Sequence, residues 1–343
     1  MLEEYLDPDD PMRPVLEKSN MKAVVLEKTC RAEELTVSIV PIPRVKPGWV
    51  LVKVKAFGVN RAEQIMRSVE ADAPYISLPR IPGIECVGEI SDPSDSQFNK
   101  GQRVVALMGG MGRSFDGGYA EYALLPNKNV FAVENDMSWE ELAAVPETYF
   151  TSYGSLFECL QIKNFDTLLI RGGTSATGLV AIQLAKSIGS VVLATTRKAE
   201  KLDLLKRHGA DHALLEDGTV EEQLHSIYPD GVSKVLEFIG PATLKESMRC
   251  LSYHGVVCST GVLGQIGIIE NFDPIKDIPN GVYLCSFYSN YPTQTAMDHI
   301  FDHIKKYCLK PPIAKIFSLE EIGDAHLLME SNMANGKIVI SVD

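Results

Sequence analysis

The stretch LLIRGGTSATGLVAIQLAK, residues 168–186, decides the fold. It opens with the apolar run Leu168–Ile170 and breaks at Gly172 and Gly173. After Gly178 its apolar residues recur with the spacing of one helical face. A strand that breaks at glycines and turns directly into a helix is typical of the first βαβ unit of a dinucleotide-binding domain. An ordinary strand–helix turn has the same local pattern, so the elements that follow must decide between the two.

The Gly-x-Gly-x-x-Gly spacing of such a unit falls on residues 173–178, with Ser175 at the middle glycine. Serine is small enough to keep the close approach of the backbone to a bound pyrophosphate. The helix N-terminus also presents free N–H groups and a partial positive charge to that anion. We therefore predict cofactor contacts from Gly173, Thr174, Ser175, Ala176, Thr177 and Gly178.

Strands and helices alternate after this turn, which favours a parallel, doubly wound Rossmann sheet. The predicted strands are 167–171, 191–195, 212–214, 234–238 and 256–260, and the predicted helices are 176–188, 198–208, 219–227 and 241–251. Before residue 138 the chain instead has short strands and tight turns. The predicted α/β fold consists of an N-terminal extension (1–20), a β-rich catalytic domain (21–145 and 291–343) and a dinucleotide-binding Rossmann domain (146–290).

The composition excludes several classes of protein. The 343 residues carry a net charge of −12, which disfavours a nucleic-acid surface. No apolar run approaches the ~20 residues that a membrane span needs, and the acidic N-terminus lacks the apolar core of a signal peptide. The seven cysteines have no paired spacing, which predicts reduced thiols packed as small apolar side chains. We expect a cytoplasmic protein without nucleic-acid or membrane partners.

Seven short motifs occur in one order along nearly the whole chain. They are Gly58–Asn60, Pro82–Gly88, Gly117–Tyr122, Pro146–Tyr153, the turn at 173–178, Leu205–Asp211 and Gly336–Val339. With these motifs the chain resembles the medium-chain dehydrogenase/reductase superfamily and, within it, the zinc-independent quinone oxidoreductases. The resemblance implies that the β-rich domain is GroES-like and that a dry cleft lies between the two domains.

Two residues decide the class of chemistry that the resemblance implies. Zinc-dependent relatives carry a Cys and a His at the positions of Asn60 and Ile84, while the neighbouring Glu85 is present here. Asn and Ile supply no thiolate or imidazole, so we predict no catalytic zinc. The i, i+4 pair His299 and His303 is a rival metal site. A solvated helix face is the favoured interpretation, because no Cys pair or metal-binding Glu lies near in sequence.

Residues near the nicotinamide are also expected from the resemblance. Asn60 and Thr151 match family positions that make polar contacts there, although Asn60 could instead cap the helix that follows it. Tyr75 is the candidate proton donor, with an ordinary packing role as the alternative. Further cofactor contacts are expected near the carboxyl ends of strands, at Gly240, Gly261, Val262, Phe287 and Ser289.

The end of the second Rossmann strand indicates which cofactor is bound. NAD-preferring relatives carry an Asp or Glu there, but this strand ends in Thr195-Thr196-Arg197, and Lys198 and Lys201 follow. An Arg fork and a Lys charge together satisfy a 2′-phosphate, and Thr hydroxyls add donors. We predict NADPH, held by Thr196, Arg197 and Lys201. Solvated charges at a helix start are the alternative.

The activity implied by the resemblance is hydride transfer from NADPH to a quinone or an α,β-unsaturated carbonyl, a small electrophilic acceptor. An enoyl-thioester reductase and a non-catalytic NADPH-binding regulatory protein are the alternatives, since fold does not fix function. The apolar run Val282–Phe287 should form the last strand of the Rossmann sheet and leave an exposed edge. Relatives pair there about a two-fold axis, so a homodimer is expected.

Overall fold

The computed structural model describes residues 19–342, which form two large sheets and a two-stranded ribbon. The predicted extension at residues 1–20 lies outside the described residues except for its last two, and Asn20 already begins a strand. The predicted α/β fold, with a doubly wound parallel sheet beside a β-rich unit, is confirmed.

The first part of the chain forms the β-rich unit. Its elements are β1 Asn20–Val24, β2 Val37–Pro41, β3 Trp49–Val59, α1 Arg61–Ser68, β4 Glu85–Asp92, β5 Arg103–Leu107, β6 Tyr122–Pro126 and β7 Val130–Ala132. The ribbon is β1 with β2, and the large sheet grows from β3, which pairs antiparallel with β4 and β6. Strand β3 alternates β-branched or apolar residues with lysines, and Val50, Val52 and Val54 lie in the core beneath it.

The middle of the chain forms the parallel unit. Its elements are α2 Trp139–Ala143, α3 Pro146–Tyr153, β8 Thr167–Arg171, α4 Ala176–Ser187, β9 Val191–Thr196, α5 Leu202–Arg207, β10 His212–Leu215, α6 Val220–Ile227, β11 Val232–Glu237, α7 Leu244–Arg249, β12 Leu251–Ser259, α8 Pro274–Asp277 and β13 Tyr283–Ser286. The strands are parallel in the order β10-β9-β8-β11-β12-β13. A π-helical turn, Gly154–Cys159, continues α3. The first strand of this unit, β8, lies inside the sheet: β9 and β10 follow on one side of it, and β11, β12 and β13 on the other. The order of strands therefore reverses between β8 and β11, and sheets of this kind bind ligands at that point.

The last elements return to the β-rich sheet. They are α9 Gln294–Tyr307, β14 Ile313–Ser318, α10 Ile322–Glu330 and β15 Lys337–Ser341. Strand β15 lies between β14 and β3 and completes that sheet. Helix α9 instead buries Met297, Ile300 and Ile304 in the apolar cluster that also holds α4 of the parallel unit. The domain boundaries at 145/146 and 290/291 stay a prediction.

Four elements differ from the sequence-based expectation. The sequence does not predict β7, α8 or β14, because β7 and α8 have only three and four residues and β14 follows two prolines. The predicted helix at 198–208 is a 3₁₀ turn, Ala199–Lys201, followed by the shorter α5. The missed strands β7 and β14 lie at the edges of their sheet, and the strands that they pair with are distant in sequence.

The two units meet in one apolar cluster that positions α3. Val87 and Val105 of the β-rich sheet belong to the same cluster as Leu168 and Leu179 of the parallel unit. Helix α3 contributes Tyr149 to it, so it is fixed against both sheets. Separately, no helix in the described range 19–342 combines the length and the apolar character that crossing a membrane requires.

Candidate nucleotide and hydride-transfer site

The glycine-rich turn after β8 has the close packing that a dinucleotide site needs. Gly172 has φ +81°, and the Gly173 N–H donates to Thr195 O at 3.0 Å, which ties the turn to the end of β9. A Cβ on Gly178 would lie 2.5 Å from the Gly172 carbonyl oxygen, so glycine is required there for α4 to approach the strand. Ser175 accepts a hydrogen bond from the Gly178 N–H and caps α4. The turn therefore leads directly into a helix N-terminus, which is suited to bind a pyrophosphate.

A Gly178→Ala variant is expected to be about 1–3 kcal/mol less stable and to bind NADPH more weakly, because the added methyl group separates α4 from the turn. Thermal unfolding and equilibrium NADPH titration measure the two effects. Gly267→Ala is the control, since no atom lies within 4 Å of its added Cβ. Equal stability and NADPH affinity in the two variants would contradict this account of the turn.

The predicted contacts at the ends of β11 and β12 lie together. A Cβ on Gly240 would lie 2.5 Å from the Gly261 carbonyl oxygen, and Gly240 has φ +92°. The buried Glu237 carboxylate fixes this corner by accepting hydrogen bonds from the N–H groups of Ile239 and Gly240, at 2.6 and 3.0 Å. Val262 follows with 46% of its surface exposed, available to a ligand.

Thr151 and Phe287 are brought to the same region by α3 and the end of β13. Thr151 is buried, and its hydroxyl donates to Glu147 Oε1 at 2.7 Å. The Phe287 ring packs on Gly154 and lies 5.5 Å from the Phe150 ring centre. Ser289, which is half-buried, follows in the same loop. The structure thus places these predicted contacts beside the parallel strands' carboxyl ends.

Asn60 belongs to a buried polar cluster that the sequence does not reveal. Its Nδ2 donates to Glu85 Oε1 at 2.8 Å, and its Oδ1 accepts from Lys337 Nζ at 2.5 Å. Lys337 Nζ also lies 2.6 Å from Glu85 Oε1, with both side chains almost fully buried. A Cβ at Gly58 would overlap this ion pair. The Asn60 amide is therefore engaged by two charged groups, although Asn60 also precedes the first residue of α1.

Two further carboxyls border the cluster. The Glu85 carboxylate accepts from the Glu147 N–H at 2.8 Å, which joins the cluster to α3 and Thr151. Burial raises the pKa of Glu63 to about 7, and the Glu85 charge adds to this rise. Burial also raises the pKa of Glu147, while Lys337 opposes the change. Glu63 and Glu147 therefore keep their protons to a higher pH than ordinary carboxyl groups do.

Basic side chains gather at the predicted 2′-phosphate position. Thr196 is buried, Arg197 is exposed, and Lys201 donates through Nζ to the Asn332 carbonyl at 3.2 Å. Arg61, which no sequence motif indicates, donates to Asn332 Oδ1 at 2.5 Å. Burial lowers the pKa of Arg61, the Glu330 carboxylate opposes this change, and the charge of Arg197 adds to it. A bound anion such as a 2′-phosphate would reduce the mutual repulsion of these cations.

Tyr75 and His303 lie in surroundings that differ from those predicted for them. Tyr75 is 68% exposed, and within residues 19–342 its hydroxyl makes no hydrogen bond, so the structure does not join it to Thr151 or the Asn60 cluster. The solvated interpretation suits His299 but is wrong for His303, which is half-buried against aromatic rings and lies 2.7 Å from Ser187 Oγ through Nε2. Burial accordingly lowers the pKa of His303.

The residues at the zinc positions do not fit a catalytic zinc ion. Ile84 has no donor atom in its side chain, and the Asn60 amide and Glu85 carboxylate are already bound to Lys337. An ammonium beside these groups would repel a dication. The cleft therefore offers hydrogen-bonding groups where zinc-dependent relatives offer metal ligands.

The comparisons with known proteins agree with this geometry. Residues 46–135 match the alcohol dehydrogenase GroES-like domain, and residues 176–302 match the zinc-binding dehydrogenase family. Quinone oxidoreductase from Homo sapiens is 29% identical over 307 residues, covering 88% of this chain and 91% of that protein.

Two solved structures share the fold over nearly the whole chain. AibC has a TM-score of 0.85 at 25% identity, covering 95% of this chain and 96% of its own. Mycobacterial Rv1454c, solved in complex with NADPH, has a TM-score of 0.81 at 24% identity, covering 94% of this chain and 100% of its own. The predicted resemblance is confirmed: the chain belongs to the medium-chain dehydrogenase/reductase superfamily, as a quinone oxidoreductase-like oxidoreductase.

Proposed function

We propose that this oxidoreductase is NADPH-dependent and zinc-independent, and that it reduces a quinone or an α,β-unsaturated carbonyl. The observation that carries the proposal is the buried Asn60–Glu85–Lys337 cluster beside a glycine cradle for a dinucleotide. NADPH supplies the hydride when it is bound. A quinone or enone delocalises the incoming negative charge over its own atoms, so the reaction does not need a Lewis acid.

The chain's own residues would bind, orient and shield the reactants. The turn at 173–178 and the corner at Gly240 and Gly261 hold the dinucleotide through backbone groups. The Thr151 hydroxyl donates its one proton to Glu147 Oε1. Burial raises the pKa of Glu147, and a protonated Glu147 would donate to the Thr151 hydroxyl instead, which would free the Thr151 proton for an acceptor oxygen. Tyr75 and water remain the other candidate proton sources. Fixed orientation in a dry cleft is the protein's main contribution to the rate.

A panel of acceptors tests the proposed substrate class. Oxidation of NADPH by quinones or simple enones at higher kcat/KM than by enoyl thioesters supports it. A preference for enoyl thioesters would favour the alternative reductase. Tight NADPH binding without turnover on any acceptor would favour a regulatory protein.

Zinc independence predicts full activity in metal-free protein. Asn60 and Ile84 leave too few donors for a tetrahedral catalytic site, and Lys337 occupies the neighbouring space. After treatment with a strong chelator, kcat should be unchanged. Elemental analysis should find no stoichiometric zinc in the active protein. Stoichiometric zinc together with loss of activity on its removal, restored by zinc, would refute this part of the proposal.

We also propose a homodimer, in a cytoplasmic protein, formed through the edge of the parallel sheet. Strand β13 is the edge strand, and Tyr283 and Leu284 are 54% and 38% exposed there. An uncovered apolar edge favours pairing with a second copy. Light scattering should report a dimer at micromolar concentration, and Leu284→Lys should yield monomers. Ile39→Lys, which alters an exposed apolar residue of β2 outside the parallel sheet, should stay dimeric. A monomeric unmodified chain would exclude the dimer.

A further inference from the structure

Three cysteines that are far apart in sequence converge on one small volume. The sulfur atoms of Cys159, Cys258 and Cys285 all lie within 4.8 Å of one another. Among the described residues, this is the one group of three or more histidine, cysteine or acidic side chains whose ligand atoms come close enough to share a metal ion. The convergence is therefore distinct from the ordinary packing that the sequence predicts for these cysteines.

The scaffold holds each thiol from a separate element. Cys258 and Cys285 face each other in register on the neighbouring parallel strands β12 and β13. Cys159 is the last residue of the π-helical turn, and its Sγ lies 3.5 Å from the Ser286 carbonyl oxygen. Cys258 is fully buried, while the other two are half-buried. The three sulfur atoms are therefore held close together by separate elements of the fold, and two of the three side chains are partly exposed.

We propose that Cys159, Cys258 and Cys285 form a binding site for Cu(I), a thiophilic ion that accepts three sulfur ligands. Soft thiolates select Cu(I) over hard cations. Structural zinc sites are instead tetrahedral with four protein ligands, and no fourth sulfur, imidazole or carboxylate joins this group within residues 19–342. Thr260 Oγ1, a neutral hydroxyl, lies 3.4 Å from Cys258 Sγ.

The binding step exchanges protons for the metal without electron transfer. Each coordinating thiol loses its proton to solvent as a Cu–S bond forms, and copper enters and remains as Cu(I). The thiols make sulfur hydrogen bonds of 3.4–3.5 Å, two of them to carbonyl oxygens, and they also interact with one another. Hydrogen bonds to sulfur are weak, so Cu–S bonds replace weak interactions. Lys234 on the adjacent β11 supplies positive charge near Cys285 and partly offsets the negative charge of the complex.

Cu(I) titration of the reduced full-length protein against a Cu(I) chelator tests the site. One Cu(I) should bind per chain, and X-ray absorption should show about three sulfur neighbours around it. Cys258→Ser and Cys159→Ser should each weaken binding by at least about 100-fold, since even second-shell changes reach that size. Cys250→Ser, which alters a buried cysteine outside the group, and Cys308→Ser, which alters an exposed one, should bind as the unmodified chain does.

Circular dichroism and thermal unfolding establish that each variant is folded before titration. The half-buried Cys159 gives the variant least able to disturb the core, so it keeps the test decisive if Cys258→Ser does not fold. Cu(I) binding by a Cys159→Ser/Cys285→Ser double variant with the affinity of the unmodified chain would overturn the proposal. An absence of Cu(I) binding by the unmodified protein with all seven thiols reduced would overturn it as well.

Discussion

A Lys337→Met variant is expected to have a free energy of unfolding about 3–5 kcal/mol lower than the unmodified chain, because it leaves a buried carboxylate without its partner. Lys337 Nζ lies 2.6 Å from Glu85 Oε1, and the two side chains are 2% and 1% exposed. Methionine has a volume similar to that of lysine, so the lower free energy of unfolding would result from the lost charge and not from poorer packing.

Two variants separate this cause from general damage to the sheet. Lys53→Met removes an exposed lysine from β3 and should change stability by less than about 0.5 kcal/mol. The double variant Lys337→Met/Glu85→Gln removes both charges and should recover most of the loss, since an uncharged pair avoids the desolvation penalty. Chemical denaturation measures the free energy of unfolding of all three variants. A Lys337→Met deficit below about 1 kcal/mol would mean that the ion pair does not stabilise the cleft.

Arg197→Ala is expected to reduce kcat/KM for NADPH by about tenfold to a hundredfold, the cost of one charge-assisted contact of about 1.5–3 kcal/mol. Activity with NADH should be nearly unchanged, because NADH lacks the 2′-phosphate. The exposed Arg197 follows buried Thr196, and Lys201 and Arg61 lie in the same basic group. No carboxylate at the end of β9 is present to hold ribose hydroxyls instead.

Arg207→Ala is the matched control, since Arg207 is an exposed arginine at the opposite end of the neighbouring helix α5. Arg207→Ala should leave kcat/KM for NADPH and for NADH unchanged. Steady-state kinetics with each cofactor and one quinone measure the effect. Equal kcat/KM for NADPH and NADH in the unmodified protein would refute the predicted preference, whatever the variants do.

The parts of the fold that the sequence predicts are those encoded over short distances. The turn at 173–178 is recognised because its glycines, its serine cap and the helix after it are contiguous. Strand β14 is missed because it follows Pro311 and Pro312, and its pairing with β15 depends on a partner more than twenty positions away. Local patterns contain no information about such pairing.

The candidate site shows the same division. Thr151 and the corner at Gly240 and Gly261 belong to local motifs, whereas Asn60 and Lys337 meet across 277 positions. Lys337 occurs in an apolar strand, where its sequence neighbours give no sign of a buried carboxylate partner. The cysteine group is equally hidden, because its members come from three separate elements. Contacts of this kind are visible only once the sheets are assembled.

NADPH consumption by chelator-treated protein in the presence of a quinone tests the central claim most directly. Absorbance of the reduced nicotinamide should fall in proportion to the quinone added, and kcat/KM with NADH should be at least about tenfold lower than with NADPH. Gly178→Ala should slow this reaction, and Gly267→Ala should not. If the metal-free protein binds NADPH but oxidises it with no quinone or enone, and zinc restores the reaction, the proposed chemistry is contradicted.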